Sequence, residues 1–326
     1  MAIDTPTSRT AGGSTSSTAP ATRPLLAAGI TMVLWASAFV VIRALSGAVD
    51  PGPLALGRLL VGSAVLTAVA LLRPGRGPIR IPRGRPLLLI IAYGVLWFGL
   101  YTIAVNAAGQ LLDAGTSAMI VNLAPVIVAV FAGMFMGEGF PRRLALGLLV
   151  AFAGVVIIAS ASRTGQVDPL GVLIALGAAV LYAVGVLLQK QALARVDPVT
   201  VTWLGALAGT VATLPFLGRL VDQLGSQPWT VAAGVVYLGV FPTAIAFLLW
   251  SYALARTSAG RMAASSYVVP GLAVLLSWAF LAETPATIAL IGGAVSLLGV
   301  ALTRVPARAL PARALPARRL PRRRST

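Results

Sequence analysis

The chain of 326 residues is 58% hydrophobic and only 10% charged, with a mean hydropathy of +0.92, whereas a soluble domain carries roughly 25% charged residues. It contains no Cys and no His, which excludes disulfides, thiol catalysis, imidazole acid/base chemistry and His-type metal sites, so neither a cofactor nor a metal is expected. The net charge of +17 sits in connections beside apolar runs and in one tail, a placement that topology explains and that argues against nucleic acid as a partner.

Residues 1–23 are rich in Ser, Thr, Gly and Ala, lack apolar periodicity, and read as a disordered tail. The apolar run from Leu25 follows Arg23 and contains Ala36-Ser37-Ala38, which resembles a signal-peptide cleavage site. It continues to about Leu45, a full span, and a related segment recurs deep in the chain, so it is read as span 1. Further apolar runs fall at about 54–72, 86–107, 114–136, 143–161, 169–190, 198–217, 230–252, 259–281 and 286–304, giving ten predicted spans. Turn-forming connections separate them, including Asp50-Pro51-Gly52-Pro53, Asp168-Pro169 and Asp197-Pro198.

Basic residues concentrate in alternate connections and in both tails. The opposite connections hold only Arg163 and Arg219, while Arg43 and Arg58 lie inside apolar runs. Because translocating basic residues is costly, both termini are expected in the cytoplasm of a plasma-membrane protein. The tail 305–326 repeats Pro-Ala-Arg-Ala-Leu and reads as low-complexity chain, either attracted to anionic lipid or simply solvated.

Self-similarity organises the chain further. A shift of 145 residues places Gly94 on Gly239, Ala114-Gly115 on Ala259-Gly260, Pro125 on Pro270, Glu138 on Glu283, Gly147 on Gly292 and Gly154 on Gly299. In the first spans a shift of 147 places Trp35-Ala36 on Tyr182-Ala183, Arg43 on Lys190 and Asp50-Pro51 on Asp197-Pro198. A unit of five spans is odd, so its second copy must enter the membrane from the opposite face. The expected fold is therefore an all-α integral membrane protein of ten transmembrane helices in two inverted five-helix repeats, 24–162 and 163–304. Such an arrangement suits a central site opened to either side in turn better than it suits an enzyme or a scaffold.

Trp35-Ala36-Ser37 with Phe39 in span 1, Pro125 with Gly137-Glu138 in span 4, Gly147 and Gly154 in span 5, Pro270 and Glu283 in span 9, and Gly292 and Gly299 in span 10 together resemble the EamA-type branch of the drug/metabolite transporter superfamily. The resemblance covers nearly the whole chain between the tails, departing at Ala282, where the second half lacks the Gly of Gly-Glu. It implies a lipid-embedded carrier of small molecules such as amino acids, related metabolites or drugs, commonly an exporter.

Several residues merit a functional and a structural reading side by side. Pro125 and Pro270, mid-span, remove a backbone hydrogen bond and form either paired hinges or static packing kinks. Asn122 and Tyr267 lie one turn before them; an amide in hydrocarbon needs a partner, so Asn122 lines a wet cavity or holds two helices together. Trp35, Trp97, Tyr101, Tyr182, Trp250 and Tyr267 wall an apolar pocket or serve as core and interface residues. Arg43, Lys190 and Arg58 are read as snorkelling near span ends, with substrate-carboxylate capture or a gating pair as the alternative for Arg43 and Lys190. Glu138 and Glu283 are read as structural caps at the starts of spans 5 and 10, and Glu138 as a partner for Arg142. No acid falls mid-span, so the expected mechanism is uniport, or coupling through a span-end residue.

Overall fold

A computed structural model describes residues 22–72, 81–135, 142–160, 167–257, 259, 262 and 265–302. Gly137, Glu138, the whole C-terminal tail and the N-terminal tail up to residue 21 lie outside the described residues. Thr22 and Arg23, assigned to the tail from sequence, begin the first helix.

Among the described residues the structure is helical and contains no strands. In chain order the helices are α1 (Thr22–Ala44), α2 (Pro51–Leu71), α3 (Arg85–Leu111), α4 (Ala114–Val121), α5 (Ala124–Phe135), α6 (Arg142–Ser160), α7 (Pro169–Leu193), α8 (Pro198–Ser226), α9 (Trp229–Arg256), α10 (Val268–Leu281) and α11 (Thr287–Leu302). Six of them, α1, α2, α3, α7, α8 and α9, are long and apolar enough to cross a membrane; the other apolar helical stretches are shorter.

The acids that lie outside the apolar runs explain several helix starts. Asp113, Asp168 and Asp197 are N-caps of α4, α7 and α8, each accepting backbone N–H donors that the first helical turn leaves unused. Asp168 Oδ1, for example, accepts from Leu170 N at 2.8 Å and Gly171 N at 3.2 Å. Pro51, Pro169 and Pro198 open their helices, where a missing N–H costs nothing.

Two kinds of irregularity interrupt the helices, both near the middle of the molecule. Pro125 cannot donate to a preceding carbonyl, and the helix breaks just before it: α4 ends at Val121, Asn122 and Leu123 form a turn, and α5 restarts with Val126 N donating to Leu123 O at 2.9 Å. Before Pro270 a turn at Ser266 and Tyr267 precedes α10, and Val269 N donates to Ser266 O at 2.9 Å. The second kind is a π-helical segment, Gly94–Tyr101 within α3 and Gly239–Ile245 within α9. Such widened turns shift the register of the side chains that follow. Pro242 sits inside the second one, where the regular ladder is already interrupted.

Packing crosses the midpoint of the chain. Helix α1 lies against α9 and α10, while α7 lies against α3, α4 and α5. Helices α6 and α11 form a separate seam in which small residues bring the backbones together. A Cβ on Gly154 would lie 2.5 Å from Gly292 O, and one on Gly292 would lie 2.6 Å from Gly154 O. Gly299 meets Ala151 and the Gly147 carbonyl in the same way.

Candidate functional site

An aromatic cluster fills the region where α1, α3, α7 and α9 converge. Trp35 of α1 and Tyr182 of α7 meet edge-on with ring centroids 6.1 Å apart. Trp97, from the π segment of α3, stands 6.2 Å from Trp35 and 4.9 Å from Tyr182. Phe247 of α9 closes the group at 5.3 Å from Trp35 and 5.2 Å from Trp97. These edge-to-face and tilted contacts suit the ring quadrupoles and bury large apolar area.

Local chemistry holds the wall in place. A Cβ at Gly185 would lie 2.8 Å from Trp97 Cβ, so only glycine lets the Trp97 ring come this close to α7. The Trp35 indole N–H donates to the Pro242 carbonyl at 3.3 Å. Behind the wall, Gln189 accepts from Trp250 Nε1 at 2.9 Å and donates to the Tyr93 hydroxyl at 2.9 Å and Ser251 Oγ at 2.7 Å. Ser251 also pairs with the Thr202 hydroxyl at 2.6 Å. This buried polar network anchors Trp250, whose ring lies 4.9 Å from that of Trp35.

The cluster forms one side of a cavity with about 660 Å³ of empty space counted out to its mouth. Trp35, Phe39, Trp97, Tyr101, Tyr182 and Phe247 supply its apolar walls. Its polar lining comes from Arg58, Thr102, Asn122, Thr243 and Ser266, with Pro125 at the break between α4 and α5. Apolar walls with a few convergent polar groups are the usual make-up of a small-molecule site.

Arg58 corrects the sequence expectation. Its side chain does not snorkel to a span end: only 5% of the residue is exposed, and it faces the cavity. Because α2 begins at Pro51, Arg58 lies two turns inside the helix, roughly 10 Å along its axis at 1.5 Å per residue. Its Nε donates to Thr243 Oγ1 at 3.0 Å, and the Thr243 hydroxyl in turn donates to the Leu238 carbonyl at 2.7 Å. Asn122, also 5% exposed, donates from Nδ2 to Ala118 O at 3.2 Å, and its Oδ1 has no partner among the described residues.

The remaining candidates divide. Trp35, Trp97, Tyr101, Asn122, Pro125 and Tyr182 come together around the cavity, whereas Tyr267 packs against the core and Pro270 is buried in α10, both outside its lining. Trp250 likewise supports the wall without lining it.

The repeat-related cations, Arg43 and Lys190, do not meet. Arg43 Nε donates to both oxygens of Glu283 at 3.1 Å, and its Nη1 donates to Gln110 O at 3.4 Å. Glu283, expected to cap the last helix, instead ties the connection between α10 and α11 to the end of α1. The pair is partly open to solvent, with side-chain exposures of 29% and 33%. Lys190 Nζ donates to Leu254 O at 2.7 Å and Thr257 O at 2.8 Å, satisfying carbonyls at the C-terminal end of α9, where a cation also suits the helix dipole.

Residues 22–160 and 169–305 each match the model of the EamA-like transporter family. A protein of Streptantibioticus cattleyicolor described as a probable terminal-alkyne amino-acid exporter is 35% identical over 275 residues, covering 84% of this chain and 90% of its own. An uncharacterized transporter of Bacillus subtilis is 31% identical over 83% of this chain and 87% of its own. A probable amino-acid metabolite efflux pump of Salmonella typhimurium is 24% identical over 83% of this chain and 91% of its own. A solved crystal structure with 24% identity superposes with a TM-score of 0.62, covering 89% of this chain and 99% of its own, which shows the shared fold. The two family matches, together with helices able to cross a bilayer several times, show a multi-pass membrane transporter rather than an enzyme: the chain belongs to the EamA-like transporter family.

Proposed function

We propose that this protein exports small amino-acid-type metabolites across the cytoplasmic membrane by alternating access between two inverted five-helix repeats. The observation that carries the reading is the cavity: its walls come from both halves of the chain, Trp35 and Trp97 from one and Tyr182 and Phe247 from the other. It lies at the Asn122–Leu123 break and beside both π segments, where helices bend most readily.

Taking α4 and α5 as one interrupted span, we read the helices as ten crossings, and the distribution of basic residues supports a cytoplasmic location for both termini. Spans 1–5 and 6–10 are the two repeats, bounded near 24–162 and 163–304. The Arg43–Glu283 pair then sits at the outer end of the cavity-lining helices, where its making and breaking accompanies closure and opening. The names of the Streptantibioticus and Salmonella relatives support an amino-acid-type solute moved outward.

Export of labelled amino acids and related metabolites from cells with and without the protein, followed by flux in proteoliposomes, tests the proposal. Faster loss of an amino-acid-type solute that depends on the protein is the expected result. Flux confined to solutes of another class, or no flux at all, would overturn it, the latter in favour of a non-transporting scaffold.

A further inference from the structure

Arg58 is a cation buried in the cavity wall with no anion paired to it among the described residues. Its Nε is held by Thr243, but no carboxylate lies within ion-pair distance among the described residues, and no Asp or Glu lines the cavity. The guanidinium presents five N–H donors in a planar fork, and the Thr243 contact uses only the one on Nε. A buried charge left in this state is costly, and a buried ionisable residue in a membrane helix usually marks a ligand path or finds a partner. Tyr101, on the same cavity wall, carries a phenol whose ordinary pKa is about 10 and so supplies no counter-charge.

A second group in the same cavity is unpaired in the opposite sense. Asn122 Oδ1 is a buried acceptor with no hydrogen-bond partner among the described residues. Around these two groups stand the faces and edges of Trp35, Trp97 and Tyr182. An acceptor backed by aromatic rings favours an ammonium, through a hydrogen bond and cation–π attraction, while a guanidinium fork favours a carboxylate.

Resting on the reading of this cavity as the transport site, we propose that Arg58 is the carboxylate anchor. It takes a zwitterionic amino acid with an apolar side chain, whose ammonium is received by Asn122 Oδ1 and whose side chain is held by the aromatic wall. Thr243 is a positioning residue: by accepting from Nε it turns the two terminal nitrogens of Arg58 toward the ligand. The site discriminates by charge, since amines lacking the carboxylate leave the guanidinium unpaired and bind weakly.

The test compares three probes that share one side chain: L-propargylglycine, its carboxamide and 3-butynylamine, which lacks the carboxyl group. Binding to purified protein is read from tryptophan fluorescence, since Trp35 and Trp97 line the cavity, and movement is read by counterflow in proteoliposomes. Wild-type protein is expected to bind the amino acid at least tenfold more tightly than either analogue. In R58Q the affinity for the amino acid should fall at least tenfold, with less than a twofold change for the amine. R58K, which keeps the charge but loses the fork, should fall between. N122A should weaken the amino acid and the amine together.

Wild-type protein that binds and moves the amine as well as the amino acid would overturn the Arg58 assignment while leaving the transport site intact. Equal losses for acid and amine in R58Q would do the same. Wild-type protein that binds none of the three would overturn both this assignment and the amino-acid reading of the cavity. Because the first comparison needs no substitution, it stands even where R58Q fails to fold.

Discussion

The π segment of α3 and that of α9 occupy matching places under the 145-residue shift, yet they supply the cavity with different chemistry. The first offers Trp97 and Phe98, two fully buried rings that form its wall. At the corresponding positions the second offers Pro242, whose carbonyl accepts from Trp35, and Thr243, whose hydroxyl accepts from Arg58. The backbone irregularity recurs while the side chains diverge. Arg43 and Lys190 teach the same lesson: repeat-related cations, one pairs with a carboxylate and the other binds helix-terminal carbonyls. The two stretches that match one family model share a backbone irregularity, while the side chains they bring to the cavity differ.

Removing the aromatic half of this contrast should have the largest effect. Trp97→Ala is expected to cost about 3–5 kcal/mol of stability, as for other buried large-to-small aromatic changes, and to abolish flux; thermal unfolding in detergent and proteoliposome uptake check both. Gly185→Leu pushes on the same ring from α7 and should cost roughly 1–3 kcal/mol through overpacking. Combining it with Trp97→Ala should recover part of that cost, and strict additivity of the two losses in unfolding measurements would contradict the proposed contact.

The polar half is probed by Thr243→Val, which leaves a buried Arg58 donor unmet at a cost of about 1–3 kcal/mol, whereas Thr243→Ser should behave nearly as wild type in both unfolding and flux. The smallest stability effect belongs to the Arg43–Glu283 pair. Being partly exposed, it should lose about 1 kcal/mol or less on Arg43→Gln or Glu283→Gln, and the exchanged pair Arg43→Glu with Glu283→Arg should restore most of the coupling in a double-mutant cycle. A change in transport rate larger than the change in stability would mark the pair as part of the conformational cycle.

Much of the helical frame was legible in the sequence because it rests on local signals. Apolar runs, Asp-Pro starts and mid-run prolines depend on neighbours along the chain, and the structure places helices, caps and the α4–α5 break close to those signals. The aromatic wall was legible in part, since Trp35 and Tyr182 are related by the repeat and do meet. Arg58 was misread because snorkelling depends on where a helix begins: counted from Leu54 the residue looks terminal, but counted from Pro51 it lies two turns in, and its guanidinium turns to Thr243 in the cavity wall. Its partner Thr243 lies 185 residues away, and Glu283 lies 240 residues from Arg43, so neither bond leaves a local trace. The Gln189 network was equally hidden, for it joins residues on α3, α7, α8 and α9.

At the seam of α6 and α11, backbone rests on backbone, with Gly154 against Gly292 and Gly299 against Ala151. One helix of this pair comes from each side of the chain's midpoint, and neither can slide lengthwise without driving an α-carbon over a carbonyl oxygen. The two helices are therefore coupled as an axle. Under the proposed alternating access, α6 and α11 are the parts that should travel least, and the displacement should grow with distance from them toward α1 and α7.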